Sequence, residues 1–154
     1  MPGVALKDLS ASASGEAPVA IERCYAHLSD VERYPQWYPS GARSVTVRER
    51  DQDGAAQLVD AVLAVAAGPL RREVALRLAV ERQPPSSVTV VRVAGGRDDR
   101  ERLEISWTLV SVAAAQTQIT VALRGRIDVP MLVPADAVAR EIASGFLQAA
   151  LRAL

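Results

Sequence analysis

Few side chains in this 154-residue chain have the chemistry to do work, and Arg72 has the most to offer. A two-residue turn at Gly68 and Pro69 would join "AQLVDAVLAVAA" to "LRREVALRLAVER" and set their register. Asp60 would then lie opposite Arg77 as an outer-face charge pair. The same register puts Val59, Ala61, Leu63 and Val65 on one inner face with Leu78, Leu76, Val74 and Arg72. A guanidinium on an apolar face has two options. It takes a carboxylate, carbonyl or phenolate partner, which a ligand can supply, or it snorkels to the rim beside the turn. Arg92 has the same standing, although the "QPPSS" turn leaves its register ambiguous.

The other reactive residue types point away from catalysis. His27 is the only histidine and sits in an expected helix with no orienting carboxylate in view, so it reads as a surface or half-buried helix residue. Cys24 is the only cysteine, with no basic cluster to lower its pKa, so it reads as a small buried apolar residue and forms no internal disulfide. There is no HExxH, GxSxG, CxxC or phosphate-cradling glycine loop. One His and one Cys make a metal site built on those ligands a poor expectation. No catalytic residue, metal or cofactor is assigned.

The aromatic residues are unevenly spread. "YPQWYP", Tyr34 to Pro39, holds three of the five Tyr and Trp residues of the chain. Such a cluster either plugs the end of a core or forms the lip of a pocket.

These residues must be positioned by the elements around them. Residues 1–7 read as frayed, followed by a short strand around Leu9–Ser14. Pro18 marks a helix start, since proline at the first helical position loses no needed N–H. Ile21, Tyr25 and Leu28 then recur at helical spacing. Ser29 or Asp30 can cap a second short helix, "VERY", which Pro35 disturbs, leaving "QWYPSG" irregular. From Gly41 onward the chain alternates: "ARSVTVRER", a "DQDG" turn, then five further strands with short connections, an antiparallel meander. Leu103, Ile105, Trp107 and Leu109 fall on the inner face, as do Ile119, Val121, Leu123, Gly125 and Ile127. Glu104, Ser106, Thr108, Gln118, Thr120, Arg124 and Arg126 fall on the outer one. After Pro130 and Pro134 a helix runs from about Ala135 to the end, with Val138, Ile142, Phe146 and Ala149 as one stripe. A sheet with one apolar and one wet face is covered on one side, and that helix is its natural cover. Strands this long must twist and curl, and a curled sheet around one helix encloses space. Small inner residues, Ala61, Ala67 and Gly125, favour a cavity there.

Composition excludes other classes. Lys+Arg and Asp+Glu balance at 18 each, so no field points to nucleic acid or an anionic membrane. Lys7 is the only lysine, there is no Asn, and Ala and Val abound, as in chains from GC-rich bacterial genomes. No stretch approaches a membrane span, and no basic region followed by an apolar run marks a signal peptide. The expectation is one soluble, cytoplasmic domain over residues 1–154.

The order strand, two helices, six strands, long helix, with Ser29, Asp30, Tyr34, Pro35 and Trp37 in "SDVERYPQWYPSG" and the prolines before the last helix, resembles the START-like, or SRPBCC, superfamily. The nearest branch is the polyketide cyclase/dehydrase and lipid transport group, which includes coenzyme-Q-binding proteins. The resemblance covers about residues 8–154. It implies an α+β helix-grip fold: a curved antiparallel sheet of about seven strands wrapped around a long C-terminal helix, with two short helices between strands 1 and 2. It also implies that a hydrophobic small molecule, a lipid, isoprenoid quinone or polyketide, binds between sheet and helix. The candidate ligand contacts are Trp37, Tyr38, Leu63, Arg72, Val74, Leu76, Arg92, Ile105, Trp107, Met131, Ile142 and Phe146. Trp37 is expected to pack inward as an anchor, and Tyr38 to sit at the pocket mouth with its hydroxyl wet. Polyketide aromatase/cyclase or dehydratase activity is one alternative, although the inner face offers almost no Ser, Thr or Tyr for it. A ligand-free protein-interaction module is another. No nucleic acid or integral-membrane partner is expected, and a homodimer is compatible with the reading.

Overall fold

Alternation of apolar and polar residues resolves into seven strands in the computed structural model, which describes residues 3–67 and 70–154. They are β1 (Val4–Ala17), β2 (Ala42–Arg50), β3 (Ala56–Ala67), β4 (Leu70–Gln83), β5 (Ser87–Arg92), β6 (Arg102–Ala113) and β7 (Gln116–Pro130). The sheet order is β1-β7-β6-β5-β4-β3-β2, and every neighbouring pair is antiparallel. Helix α1 (Ile21–Ser29), a 3₁₀ turn (Val31–Arg33) and α2 (Tyr34–Trp37) connect the two edge strands, and α3 (Ala135–Ala153) follows β7. This is the expected helix-grip arrangement.

The register read from alternation holds. Asp60 pairs with Arg77, Leu63 with Val74 and Val65 with Arg72. The Gly68–Pro69 turn itself lies outside the described residues. Leu103, Ile105, Trp107 and Leu109 of β6 and Ile119, Val121 and Leu123 of β7 are buried on the inner face, while Arg124 and Arg126 face water. Helix α3 returns Val138, Ala139, Ala143, Phe146, Leu147 and Ala150 to this core. Its small residues let it lie close to the sheet. Asp136 in its first turn and Arg152 in its last oppose the helix dipole correctly.

Three boundaries differ from expectation. Strand β1 begins at Val4, not near Leu9, so residues 4–7 are paired strand rather than frayed chain. Ala and Ser are weak strand formers, but β7 offers an unbroken ladder from Val4↔Pro130 to Ala17↔Thr117, and pairing overrides propensity. Pro18 does not start α1. The helix begins at Ile21 after an extended Ala20, because the chain must first step off β1, with the Val19 carbonyl held by the Thr117 hydroxyl at 2.8 Å. Pro35 does not break the second helix either. It sits in the first turn of α2, where its missing N–H is not needed, and Gln36 and Trp37 continue the turn.

One end of the sheet is parted. Strand β5 pairs with β4 only from Leu78↔Arg92 to Gln83↔Ser87, and with β6 only over Ser87–Val91. The first half of β4 therefore has no partner strand on that side. The segment 93–101 crosses the opening, with Val93 N–H on the Arg77 carbonyl at 2.7 Å. Asp99 organises it by accepting from Gly95 N–H (2.8 Å), Glu101 N–H (3.1 Å) and Arg92 Nη2 (2.6 Å). The opposite end is closed by α1. Arg82 reaches from β4 to the Ser29 carbonyl at 2.8 Å and the Ala56 carbonyl at 2.6 Å, placing a cation on the last carbonyls of that helix.

Candidate functional site

The parted end opens into a cavity of about 360 Å³ between the sheet and the first turns of α3. Its walls are Leu63, Val65, Val74 and Leu76 from β3 and β4, Leu9, Leu103, Ile127 and Val129 from β1, β6 and β7, and Val138 and Ile142 from α3. Its charged groups are Arg72, Arg92, Glu101 and Asp128. Val4 and Pro130 complete the rim. The interior is aliphatic because β3, β4, β6 and β7 point alternate residues the same way and α3 presents one branched side chain per turn.

The two arginines differ in what holds them. Arg92 is committed: it pairs with Asp99 at 2.6 Å, each side chain 16% exposed, and donates to the Glu101 carbonyl at 2.8 Å. The Arg92 pairing and the Gly95 N–H hold the Asp99 carboxyl at about 2, against an ordinary value near 3.8. Arg72 is exposed at the rim and makes no hydrogen bond or ion pair among the described residues. It snorkels, yet stays free to meet a polar group in the mouth. Glu101 accepts from the Asp128 N–H at 3.3 Å.

Of the residues singled out in the sequence, Leu63, Arg72, Val74, Leu76, Arg92 and Ile142 come together in this cavity. Trp37, Tyr38, Ile105, Trp107, Met131 and Phe146 do not line it. The aromatic segment plugs the core instead. Trp37 lies between His27 and Tyr34, each 4.8 Å away centroid to centroid, and stacks on Tyr38 at 6.3 Å. The Tyr38 ring meets Phe146 edge-on at 4.9 Å, and Phe146 meets Trp107 at 6.3 Å. Tyr34 is buried and donates its hydroxyl to the Leu28 carbonyl. Trp107 is fully buried and Ile105 nearly so, while Met131 projects from the turn after β7 and is exposed. Tyr38 therefore belongs to the packed middle of α3, one turn from Ile142, and not to the mouth. The mouth is set by where β4 and β5 part, which the YPQWYP segment does not reach.

Sequence reasoning missed Glu101 and Asp128 as site residues. Glu101 closes the loop before β6 and Asp128 stands within β7 opposite Leu6, and no local pattern marks either as a site residue. Leu103, Ile127 and Val138 were legible as inner-face residues but not as cavity wall.

Cys24 is buried, and burial raises its thiol pKa. His27 is half-buried, and burial lowers its pKa; its Nε2 has no partner. Among the described residues no three His, Cys, Asp or Glu side chains gather as metal ligands. A broader depression of about 560 Å³ lies on the wet face, near Ser44, Thr46 and Arg77. It is open to solvent, and its one carboxylate, Asp60, is already held by Arg77 at 2.9 Å and Arg48 at 3.4 Å. It offers no unpaired charge and no enclosed apolar surface. The aliphatic cavity is the better site despite its smaller volume.

Comparison with known proteins agrees with this geometry. The family model described as "Polyketide cyclase / dehydrase and lipid transport" matches residues 17–151. No match was found among curated proteins. A START superfamily protein from Mycobacterium smegmatis is similar in structure, with a TM-score of 0.70 at 19% identity over 94% of this chain and 92% of that one. A Streptomyces aromatase/cyclase has a TM-score of 0.60 at 14% identity over 96% and 91%. A truncated norcoclaurine synthase from Thalictrum flavum has a TM-score of 0.64 at 11% identity over 99% and 97%. At these identities the likeness is one of fold. Among the described residues no helix is long and apolar enough to cross a membrane.

Proposed function

The chain belongs to the polyketide cyclase/dehydrase and lipid transport family, and from that premise we propose that it binds a hydrophobic small molecule in the cavity between the sheet and the start of α3. The observation that carries the reading is the separation of chemistry within that cavity, which has aliphatic walls inside and charged groups only at the mouth. Ligand sites are concave, mostly apolar and provided with few polar groups. Burying roughly 300 Å² of apolar ligand surface would contribute about 7 kcal/mol before the cost of association. Arg72 orients the ligand by its polar end, and Arg92 holds the 93–101 segment over the opening. At about 360 Å³ the cavity is at the small end of ligand pockets, so it takes a ring system or a medium-length chain. A long isoprenoid tail would extend through the mouth.

Catalysis is the second reading, as cyclisation or dehydration of a polyketide. It would draw on Glu101 and Asp128, since the described cavity lining includes no Ser, Thr, Tyr, His or Cys. That scarcity of acid–base groups favours binding over turnover.

A fluorescent fatty-acid or naphthol probe tests the reading. Saturable binding in the micromolar range with a blue-shifted emission is expected. No binding at high micromolar concentration by any apolar probe would contradict it.

A further inference from the structure

The turn between β7 and α3 carries a cluster of side chains that the packing does not use. Leu132 is 90% exposed and Met131 59%, and Val4, opposite Pro130 on β1, is 66% exposed. Single exposed aliphatics are ordinary, but three grouped at one rim are not. The turn's backbone is fixed from below. Lys7 Nζ donates to the Met131 carbonyl at 2.8 Å and the Val133 carbonyl at 2.9 Å, and the Met131 N–H bonds the Gly3 carbonyl at 3.2 Å. With its carbonyls tied inward, the turn presents its side chains outward. Val4 and Pro130 of the same cluster line the cavity. The apolar knob and the cavity mouth are therefore continuous.

We propose that the Met131–Leu132 turn docks on a lipid surface, inserting its aliphatic side chains at the headgroup–acyl boundary, so that an apolar ligand reaches the cavity without crossing bulk water. The proposal rests on the cavity being the ligand site. Size favours lipid over protein as the occupant. Three side chains supply a few hundred Å² at most, against the roughly 800 Å² per partner of a stable protein interface. A bilayer needs only local insertion. Charge indicates which lipid property matters. The cavity mouth carries two basic groups, Arg72 and Arg92, and two acidic ones, Glu101 and Asp128. Arg92 is already paired with Asp99, and Lys7 is engaged with the turn. Insertion rather than headgroup charge drives the contact, which therefore tolerates salt and neutral lipid.

The full chain is sedimented with neutral phosphatidylcholine vesicles at low and high salt, beside Leu132→Asp and Met131→Ser. The wild type is expected to co-sediment at both salt concentrations. Leu132→Asp should cut the bound fraction about tenfold, with a melting temperature within about 2 °C of wild type and unchanged binding of the fatty-acid probe in solution. A wild type that stays in the supernatant, or a Leu132→Asp variant that sediments equally well, overturns the proposal. So does a concentration-dependent dimer that Leu132→Asp dissolves, which would assign the surface to a second copy. Probe binding is measured without vesicles, so failure of the docking proposal and failure of the cavity reading are separable.

Discussion

The Tyr38 ring lies across two glycines at once: a methyl at Gly145 would strike its hydroxyl, and a methyl at Gly41 would strike the ring itself. Phe146 meets the ring edge-on at 4.9 Å and Trp37 stacks beside it at 6.3 Å, contacts that resist its displacement. Gly145→Ala gains up to about 1 kcal/mol of helix propensity, but the clash should leave a net loss of about 1–2 kcal/mol. Tyr38→Phe removes the atom struck and should recover most of that loss. Gly41→Ala should not be rescued in the same way, because the ring carbons remain. Urea unfolding of the three single variants and of the two glycine variants combined with Tyr38→Phe checks this.

The arginine pair separates structure from binding. Arg72→Gln should leave the melting temperature within about 2 °C of wild type and weaken a carboxylate-headed probe about tenfold, the size of one charge-assisted hydrogen bond. Arg92→Gln leaves Asp99 without its cation and should lower the melting temperature, with little preference between charged and neutral probes. Calorimetry and probe titration on the two variants, compared side by side, decide it. Equal behaviour would remove the distinction.

Asp99 gives the fold an acid limit. Its carboxyl is held at about 2, chiefly by Arg92 and then by the Gly95 N–H, whereas an unfolded Asp titrates near 3.9. A depressed folded value means that the stabilisation is present above pH ~4 and is lost as pH falls from about 4 towards 2. Asp99→Asn should be less stable than wild type at pH 6 and nearly equal to it at pH 2. Urea midpoints at the two values measure the convergence, and parallel loss in both proteins would contradict it.

The pairing of Asp60 with Arg77 shows what the sequence made legible. Strict alternation fixes which face each residue takes, and a two-residue turn expected at Gly68 and Pro69 sets the β3–β4 register, so the position of Arg72 followed from the two together. Leu63, Val74 and Leu76 came with it, and Ile142 followed from the apolar stripe of α3. The location of the mouth did not, because it depends on β5 stopping at Arg92 while β4 continues, a matter of loop length and long-range pairing. For the same reason Trp107 and Phe146 were expected at the pocket. They share the inner face with the cavity wall but lie further along it, under the aromatic plug. Strand β1 was expected to be short because Ala and Ser carry little intrinsic signal, while its length comes from β7.

The central claim is that the ligand occupies the cavity at the parted end. Ile142→Trp places an indole in that space from the α3 wall, whereas Trp107→Phe perturbs the neighbouring aromatic core without touching it. Titration of the fatty-acid probe into both variants and the wild type tests the claim most directly. It predicts that Ile142→Trp abolishes saturable binding while the protein stays folded, and that Trp107→Phe loses stability but keeps its affinity within about threefold, under 1 kcal/mol. Undiminished binding by a folded Ile142→Trp variant would contradict it.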